Sequence, residues 1–319
     1  MSAGQPKGKA TRAEVHRFLA EVLESERLPG DYHRLLLRAP RLAEVAALRQ
    51  AQGHPEPLVP RSLGEGGSRG AAPGQFLHLW CHPPEQLDHP PSAALLRRPY
   101  SISRLRPPDG VELLIRLRGV GGRLLAAKRP GDQLDALGPL GNGFRLDASL
   151  ATAVVVAGGS GLAPVPFLIA RLVETGARVV CLVGAMTDEE VPFRVVRPRV
   201  GRATLPEIEA LGAEVTFVSE AVEGILVTQV VELRLTEFGD AGAEMFAIGP
   251  RAMLKRLDEV TGEHIPLQVS LEERMACGLG ACRSCVVPVK SESGPAYKTV
   301  CRDGPIFDST IVDWERLEP

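Results

Sequence analysis

The sequence lacks an excess of charge of either sign. Its 319 residues include 37 Lys and Arg against 39 Asp and Glu, which gives a formal net charge of −2. A chain so evenly balanced has no basic excess of the kind that binds nucleic acid or an anionic membrane. We therefore expect neither nucleic acid nor a membrane among its partners.

Long apolar runs are missing as well, and we expect no leader sequence. The most apolar segment, 153–173, is interrupted by glycines, prolines and Arg171, so it predicts no transmembrane helix. The first residues do not resemble a signal peptide, and we expect a cytoplasmic protein without a disulfide framework. An apolar content of 44% and a charged content of 24% are typical of a soluble protein, and the length suits two or three domains.

Cysteine is scarce, but four of the six cysteines are grouped near the C-terminus. The four follow the spacing C-x4-C-x2-C-x15-C and are Cys277, Cys282, Cys285 and Cys301. The first two intervals are those of plant-type [2Fe–2S] proteins. Gly278 and Gly280 would let the loop wrap closely around a cluster and direct backbone N–H groups at its sulfurs. The spacing therefore favours an iron–sulfur cluster.

A structural zinc site is the alternative that these residue types leave open. Four cysteines also satisfy tetrahedral zinc, although such sites usually consist of two short C-x2–4-C pairs. Here three thiols share one loop and the fourth is separate, which favours the cluster. Cys81 and Cys181 lie beside apolar residues on predicted strands, and we expect both to be buried thiols without a function.

The residues around the four cysteines resemble a known family. The stretches Ser270-Leu-Glu-Glu-Arg-Met-Ala-Cys277-Gly-Leu-Gly-Ala-Cys282 and Val300-Cys-Arg-Asp-Gly-Pro-Ile-Phe307 are similar to the electron-transfer subunit of bacterial NAD-linked dihydroorotate dehydrogenases. The resemblance extends from about Leu28 to the C-terminus. It implies a ferredoxin-reductase-like protein that carries FAD and [2Fe–2S] and passes electrons from a separate FMN subunit to NAD in pyrimidine biosynthesis. The family also implies a heterotetramer of two of each subunit.

The domain organisation follows from this resemblance and from shifts in composition. We predict a multidomain β and α/β fold. An FAD-binding β-barrel should span 14–147, a doubly wound α/β NAD-binding domain 148–263, and a small [2Fe–2S] domain 264–319. Polar, aperiodic residues predict a disordered tail over 1–13 and a flexible insertion over 48–72. Residues 14–26 read as a barrel strand, although their apolar residues also match a helical stripe.

The expected FAD site begins with Arg98-Pro99-Tyr100-Ser101. In ferredoxin-reductase-like proteins the R-x-Y-S element lies against FAD, with the arginine on the phosphates and the following residues against the isoalloxazine. Guanidinium suits phosphate, and a Tyr face and a Ser hydroxyl suit a flat ring with polar edges. A surface loop that ends in an edge strand is the alternative for so short a motif.

The same cofactor is expected to meet the next strand and turn. The candidate residues here are Leu114, Ile115 and Arg116 on the strand, and Gly121 and Gly122 in a glycine turn that leads into a helix. Such a turn presents backbone N–H groups and the positive end of a helix, which suits the FAD pyrophosphate. The family usually has Gly-Thr in place of Gly121-Gly122, so one hydroxyl contact is missing.

The nucleotide domain is predicted from a strand, a glycine loop and a helix in succession. The apolar strand 152–157 leads into a loop that contains Gly158, Gly159 and Gly161, and a helix follows from Val165. This order places a nucleotide pyrophosphate at a helix N-terminus. Further strands at 178–184, 214–219 and 245–248 indicate a doubly wound parallel sheet.

The chain departs from the family on the nicotinamide side. Gly249 and Pro250 are expected near the nicotinamide, but Ile248 stands where these reductases generally have cysteine. The sequence Glu220-Ala221 likewise replaces an expected Asp-Gly-rich stretch. Hydride transfer needs no side-chain acid or base, so no catalytic residue is assigned. Two alternatives to the dihydroorotate dehydrogenase subunit remain: a reductase subunit of another oxidoreductase, such as a sulfide dehydrogenase or hydrogenase, and a non-catalytic electron relay.

Overall fold

The computed structural model describes residues 15–40, 42, 70–83, 95–239, 242–262, 264–292 and 294–317. The tail expected at 1–13 and most of the expected insertion at 48–72 lie outside the described residues. At the C-terminal end of that insertion, Ala71 is buried in the barrel core, and its N–H donates to the carbonyl oxygen of Leu42 at 3.4 Å.

The N-terminal part forms a closed, antiparallel six-stranded barrel in the order β1-β2-β5-β4-β3-β6. Its strands are β1 (His16–Leu28), β2 (Tyr32–Arg38), β3 (Phe76–Leu79), β4 (Arg98–Arg106), β5 (Gly110–Arg116) and β6 (Gln133–Leu140). The first segment is a strand, because Ala20 and Val22 alternate into the barrel core while Leu19 is exposed. One helix, α1 (Gly119–Ala126), follows β5.

The central part is a six-stranded sheet in the order β14-β11-β10-β7-β8-β9. Its strands are β7 (Thr152–Gly158), β8 (Arg178–Ala185), β9 (Glu214–Ser219), β10 (Ala243–Ile248), β11 (Leu267–Ser270) and β14 (Ile306–Asp308). Only the edge strand β14 runs antiparallel to its neighbour. The doubly wound sheet expected from the alternation of strands and helices is therefore present.

Helices cover both faces of this sheet, and the strand β7 is buried on both sides. The longer helices are α2 (Val165–Glu174), α5 (Val227–Gly239) and α6 (Arg251–Thr261), with short helices α3 (Pro206–Glu209) and α4 (Glu220–Glu223) between them. Val155 packs in the same core as α2, whereas Val154 and Val156 pack with α5 and α6 on the opposite face. This two-sided burial explains why β7 is a continuous apolar run in the sequence.

The cysteine-rich segment is built onto the edge of the central sheet. It contains the hairpin of β12 (Val286–Val289) and β13 (Ala296–Thr299) and the short helix α7 (Val300–Asp303). The strands β11 and β14 flank this segment in sequence and belong to the six-stranded sheet. The boundary expected at residue 264 thus precedes a strand of the central sheet, because β11 pairs with β10 through backbone hydrogen bonds. No helix in the described part of the chain is both long enough and apolar enough to span a bilayer.

Candidate functional site

A cavity of 240 Å³ lies where the barrel, the central sheet and the cysteine-rich segment meet. The barrel strand β4 contributes Pro99, Tyr100 and Ser101 to its wall, which are three of the four residues in the predicted motif Arg98-Pro99-Tyr100-Ser101. Burial raises the pKa of the Tyr100 hydroxyl far above its ordinary value, so this side chain stays neutral. The flat, neutral ring and the nearby hydroxyl form a surface suited to a planar ligand with polar edges.

Arg98 is not among the residues that line the cavity, and it lies next to Gly121 of α1. A Cβ added at Gly121 would lie 3.3 Å from Cγ of Arg98 and 3.7 Å from the Tyr100 hydroxyl, so these three predicted residues are neighbours. Gly121 and Gly122 are both within α1, which begins at Gly119. A side chain at Gly122 would meet the carbonyl oxygen of Arg116 at 2.9 Å, so this glycine permits close packing of α1 on β5.

The strand β5 presents alternate residues to the cavity. Leu114 and Arg116 line it, whereas Ile115 between them is fully buried in the barrel core. The side chain of Ile115 therefore does not meet the cavity, because successive residues of a strand point to opposite faces. Arg116 donates to Glu190 at 3.2 Å and lies 5.8 Å from the centre of the Tyr32 ring.

Tyr32 joins the barrel to the glycine loop, and the sequence did not predict this role. Its hydroxyl donates to the carbonyl oxygen of Gly159 at 3.2 Å, and its ring lines the cavity. Burial is the largest cause that raises the pKa of Tyr32 to about 12. Tyr32 and Gly159 are separated by 127 positions in the chain, so no local sequence pattern indicates their contact.

The predicted glycines of the nucleotide domain come together at the carboxyl ends of β7 and β10. A Cβ at Gly158 would lie 3.3 Å from Pro250, and one at Gly249 would lie 3.1 Å from the backbone nitrogen of Gly158. Gly161 packs against the carbonyl oxygen of Ile248 so closely that no side chain would fit. The carboxyl ends of parallel strands are where nucleotides bind in such sheets.

Gly159 has a different environment from its neighbours. Its φ of +56° favours glycine, and a Cβ there would meet nothing within 4 Å. The adjacent Ser160 lines the cavity, as does Ile248, whereas none of the predicted glycines does. Ser160 is therefore the residue by which the glycine loop lines the cavity.

Glu272 is a second residue that the sequence interpretation missed. It lies just after the carboxyl end of β11, lines the cavity, and is 3.5 Å from the Ser160 hydroxyl, which donates to it. Glu272 is exposed at the surface, but the protein around its carboxyl group partly desolvates it and raises its pKa, and the Ser160 hydrogen bond opposes this rise. The rule that ligands bind at carboxyl ends of parallel strands would have indicated this residue if β11 had been assigned to the sheet.

The four predicted thiols come together beside the barrel. The N–H of Gly280 donates to Sγ of Cys301 at 3.1 Å, and the N–H of Leu279 donates to Sγ of Cys277 at 3.3 Å. The Ser284 hydroxyl lies 3.2 Å from Sγ of Cys282, and this contact is the largest cause that lowers the pKa of that thiol to about 6. Backbone N–H groups directed at sulfur are a feature of iron–sulfur sites.

The remote cysteine of the set lies beside the cysteine loop. Cys301 is close enough to Cys285 to hydrogen-bond with it, which pairs the remote cysteine with the loop. A [2Fe–2S] cluster is held by two thiolates at each iron. The four thiols, with backbone N–H groups directed at two of them, therefore fit such a cluster.

Comparison with known proteins is consistent with this site. Residues 272–313 match the family model described as the iron–sulfur cluster binding domain of dihydroorotate dehydrogenase B. The electron transfer subunit of dihydroorotate dehydrogenase B (NAD(+)) from Geobacillus sp. (strain WCH70) is 38% identical over 239 residues, which cover 74% of this chain and 84% of that protein. The chain belongs to this family of electron transfer subunits.

A more distant relative supports the assignment. The corresponding subunit from Desulforamulus reducens is 35% identical over 254 residues, which cover 78% of this chain and 89% of that protein. The resemblance found in the cysteine motif is thereby confirmed for most of the chain. Membership makes this chain an electron transfer subunit of an oxidoreductase.

Solved structures confirm the fold of this electron transfer subunit. An NADH-dependent reduced ferredoxin-NADP oxidoreductase, described in connection with flavin-based electron bifurcation, superposes with a TM-score of 0.69 at 22% identity, covering 94% of this chain and 91% of that one. A ferredoxin-NADP+ reductase from Plasmodium falciparum superposes with a TM-score of 0.57 at 12% identity, covering 79% and 96%. The predicted ferredoxin-reductase-like fold is confirmed.

Proposed function

We propose that this chain passes electrons from an FMN-containing catalytic subunit, through [2Fe–2S] and FAD, to NAD+ in pyrimidine biosynthesis. Its curated relatives are named electron transfer subunits of dihydroorotate dehydrogenase B (NAD(+)). The FMN subunit performs the oxidation of dihydroorotate, and the working complex is a heterotetramer of two of each subunit.

One observation carries this proposal. A single cavity is bordered by the strand β4, by the glycine loop and by the segment that precedes the cysteine loop. Tyr100, Ser160 and Glu272, respectively, are the residues by which these three parts line it. The three carriers of a reductase chain must be close together for electrons to move between them. A cavity that all three parts share is the arrangement that such transfer requires.

FAD would be held in this cavity by the barrel side. Tyr100 and Ser101, which line the cavity, would face the ring, and Arg98, beside Gly121, would bind the phosphates with its planar guanidinium. When bound, FAD supplies the conversion between single electrons and a hydride, which neither a cluster nor a nicotinamide performs alone. Gly249 and Pro250, which lie beside Gly158, would border the nicotinamide, and Ile248, which lines the cavity, would provide an apolar wall there.

The experiment separates the chain's own activity from that of its partner. The purified chain should transfer electrons from NADH to ferricyanide, and it should oxidise dihydroorotate only after an FMN subunit is added. Dihydroorotate oxidation by the isolated chain would contradict the assignment.

The position of Ile248 favours one second candidate, a non-catalytic electron relay. Ile248 lines the cavity at the place where related reductases generally have cysteine. In that case anaerobic stopped flow would detect no reduction of FAD by NADH, although the protein would still contain cluster and flavin.

A further inference from the structure

Glu272 differs from the other carboxyl group that lines the cavity. Glu273 forms an ion pair with Arg251, whose guanidinium donates to it. For Glu272 the structure gives a single partner, the Ser160 hydroxyl at 3.5 Å, and no ion pair within the described ranges. A carboxyl group without a paired cation is more easily protonated than one that is paired.

The charged and titratable groups that are described around Glu272 are either neutral or paired with other residues. Tyr32 on β2 and Tyr100 on β4 are neutral, because burial raises both of their pKa values. Arg116 on β5 also lines the cavity, but its guanidinium is engaged with Glu190 at 3.2 Å. The negative charge of Glu272 contributes to the raised pKa of Tyr32, so these two side chains are electrostatically coupled.

The proposed function requires a proton in the cavity that Glu272 lines. A cluster delivers one electron at a time, whereas NAD+ accepts a hydride, which is two electrons and one proton. The overall change is NAD+ plus two electrons plus one proton, giving NADH. The electrons come from the cluster side, so the proton must come from a donor or from water that reaches the cavity.

We propose that Glu272 supplies this proton when electrons flow from the cluster to NAD+. It receives the proton when electrons flow from NADH to the cluster. This inference rests on the proposed function. Glu272 lines the cavity beside Ser160 of the glycine loop, and its side chain is exposed, so that it can regain a proton from solvent after each turnover. Ser160 orients the carboxyl group by its hydrogen bond.

The test compares two reactions of Glu272→Gln in the full chain loaded with FAD and cluster. Steady-state reduction of NAD+ driven by reduced methyl viologen needs a new proton in every turnover. We expect it to fall about 10²-fold, the lower end of what general acid catalysis contributes. A single hydride transfer from pre-reduced protein to NAD+ needs no new proton, and we expect it to keep the wild-type rate.

The pH profile and an infrared spectrum add independent readouts. The wild-type steady-state rate should fall as the pH rises through the raised pKa of Glu272, and Glu272→Gln should lose this dependence. The infrared difference between reduced and oxidised protein should contain a protonated-carboxyl band that is absent from Glu272→Gln. Glu209→Gln, which alters an exposed carboxyl group on α3, serves as the control and should match the wild type.

Two outcomes would overturn the inference. An unchanged steady-state rate and pH profile would mean that water supplies the proton directly. Equal loss in both reactions, with a raised KM for NAD+, would assign Glu272 to nucleotide binding. Failure of the proposed function is distinguishable, because the wild-type chain itself would then not reduce NAD+.

Discussion

Gly278 in the cysteine loop packs directly on His78 of the barrel strand β3. A Cβ added at Gly278 would lie 2.5 Å from Nδ1 of His78, and the φ of +70° at Gly278 also favours glycine. His78 pairs with Pro99 in the register between β3 and β4. The contact therefore places the loop that carries Cys277 one strand away from the proposed flavin motif.

We predict that Gly278→Ala lowers both the cluster content and the melting temperature. A left-handed backbone costs a residue with a Cβ about 1–2 kcal/mol, and the clash with His78 adds to this cost. Iron analysis and thermal unfolding measure the effect. The control is Gly224→Ala, because Gly224 has a φ of +67° but no atom within 4 Å of an added Cβ.

A double variant isolates the contact itself. In Gly278→Ala combined with His78→Ala, the space is restored and part of the cluster content should return. If the double variant binds no more iron than Gly278→Ala alone, backbone strain rather than the contact with His78 determines the loss.

His78 should make the protein less stable in mild acid. Burial, with a smaller contribution from Arg97, lowers the pKa of His78 to about 4, whereas an unfolded histidine titrates near 6.5. Between these values the unfolded state binds the proton more readily, so the free energy of unfolding falls as the pH falls through 6.5. The linked loss at pH 5 is about 2 kcal/mol.

Denaturant unfolding of the wild type and of His78→Leu at pH 7.5 and pH 5 checks this prediction. Leucine removes the titration together with the two buried ring nitrogens of His78. The decrease in stability between the two pH values should therefore be smaller in the variant. An equal decrease in both proteins would show that His78 is protonated as readily in the folded state as in the unfolded state.

The elements that the sequence predicted well depend on local patterns. The apolar run 152–157, its glycine loop and the helix from Val165 correspond to β7, the loop and α2 in the structure. Each depends on residues that are adjacent in the chain, and burial on both faces leaves a plain apolar signature. The spacing of the four cysteines carried similar local information.

The residues that the sequence did not predict are brought together by distant segments. Glu272 and Ser160 are 112 positions apart, and their contact depends on β11 being a strand of the central sheet. The orientation of Ile115 depends on how β5 closes the barrel, because one register step moves a side chain between the core and the cavity. Such features follow from topology, which local periodicity does not encode.

The adjacent residues Arg97 and Arg98 should differ in their effects when each is replaced. Arg97 donates to the backbone carbonyl of Asp135 at 2.8 Å and forms an ion pair with its buried carboxylate, whereas Arg98 lies beside Gly121. We predict that Arg98→Ala loses more FAD than Arg98→Lys, because lysine keeps the charge and loses only the planar fork.

Flavin content after gel filtration measures the affinity of the Arg98 variants. Arg97→Ala is the contrasting variant and should lower the melting temperature of the flavin-free protein by leaving Asp135 with less compensation for its buried charge. Equal retention of FAD by the wild type and both Arg98 variants would remove Arg98 from the phosphate site.

Replacement of any cluster cysteine by serine should remove iron but leave FAD in place. The four positions are Cys277, Cys282, Cys285 and Cys301. Cys181→Ala is the control, because this thiol is fully buried in the core of the central sheet. The measurement is iron, acid-labile sulfide and flavin in protein prepared without oxygen. Stoichiometric zinc without sulfide would contradict the cluster assignment.

The segment between Leu42 and Ala71 should be dispensable for the fold. Both residues are buried in the barrel core, and the N–H of Ala71 donates to the Leu42 carbonyl oxygen at 3.4 Å, so the segment leaves and rejoins the barrel at one place. Deletion of residues 50–69 keeps a connection long enough to join neighbouring points, and the free energy of closing a loop changes only slowly with its length. We therefore expect the deletion variant to keep its FAD, its iron and its melting temperature within a few degrees. A large decrease in melting temperature would mean that the deleted residues pack against the barrel, and a shorter deletion of residues 50–60 would then locate the contact.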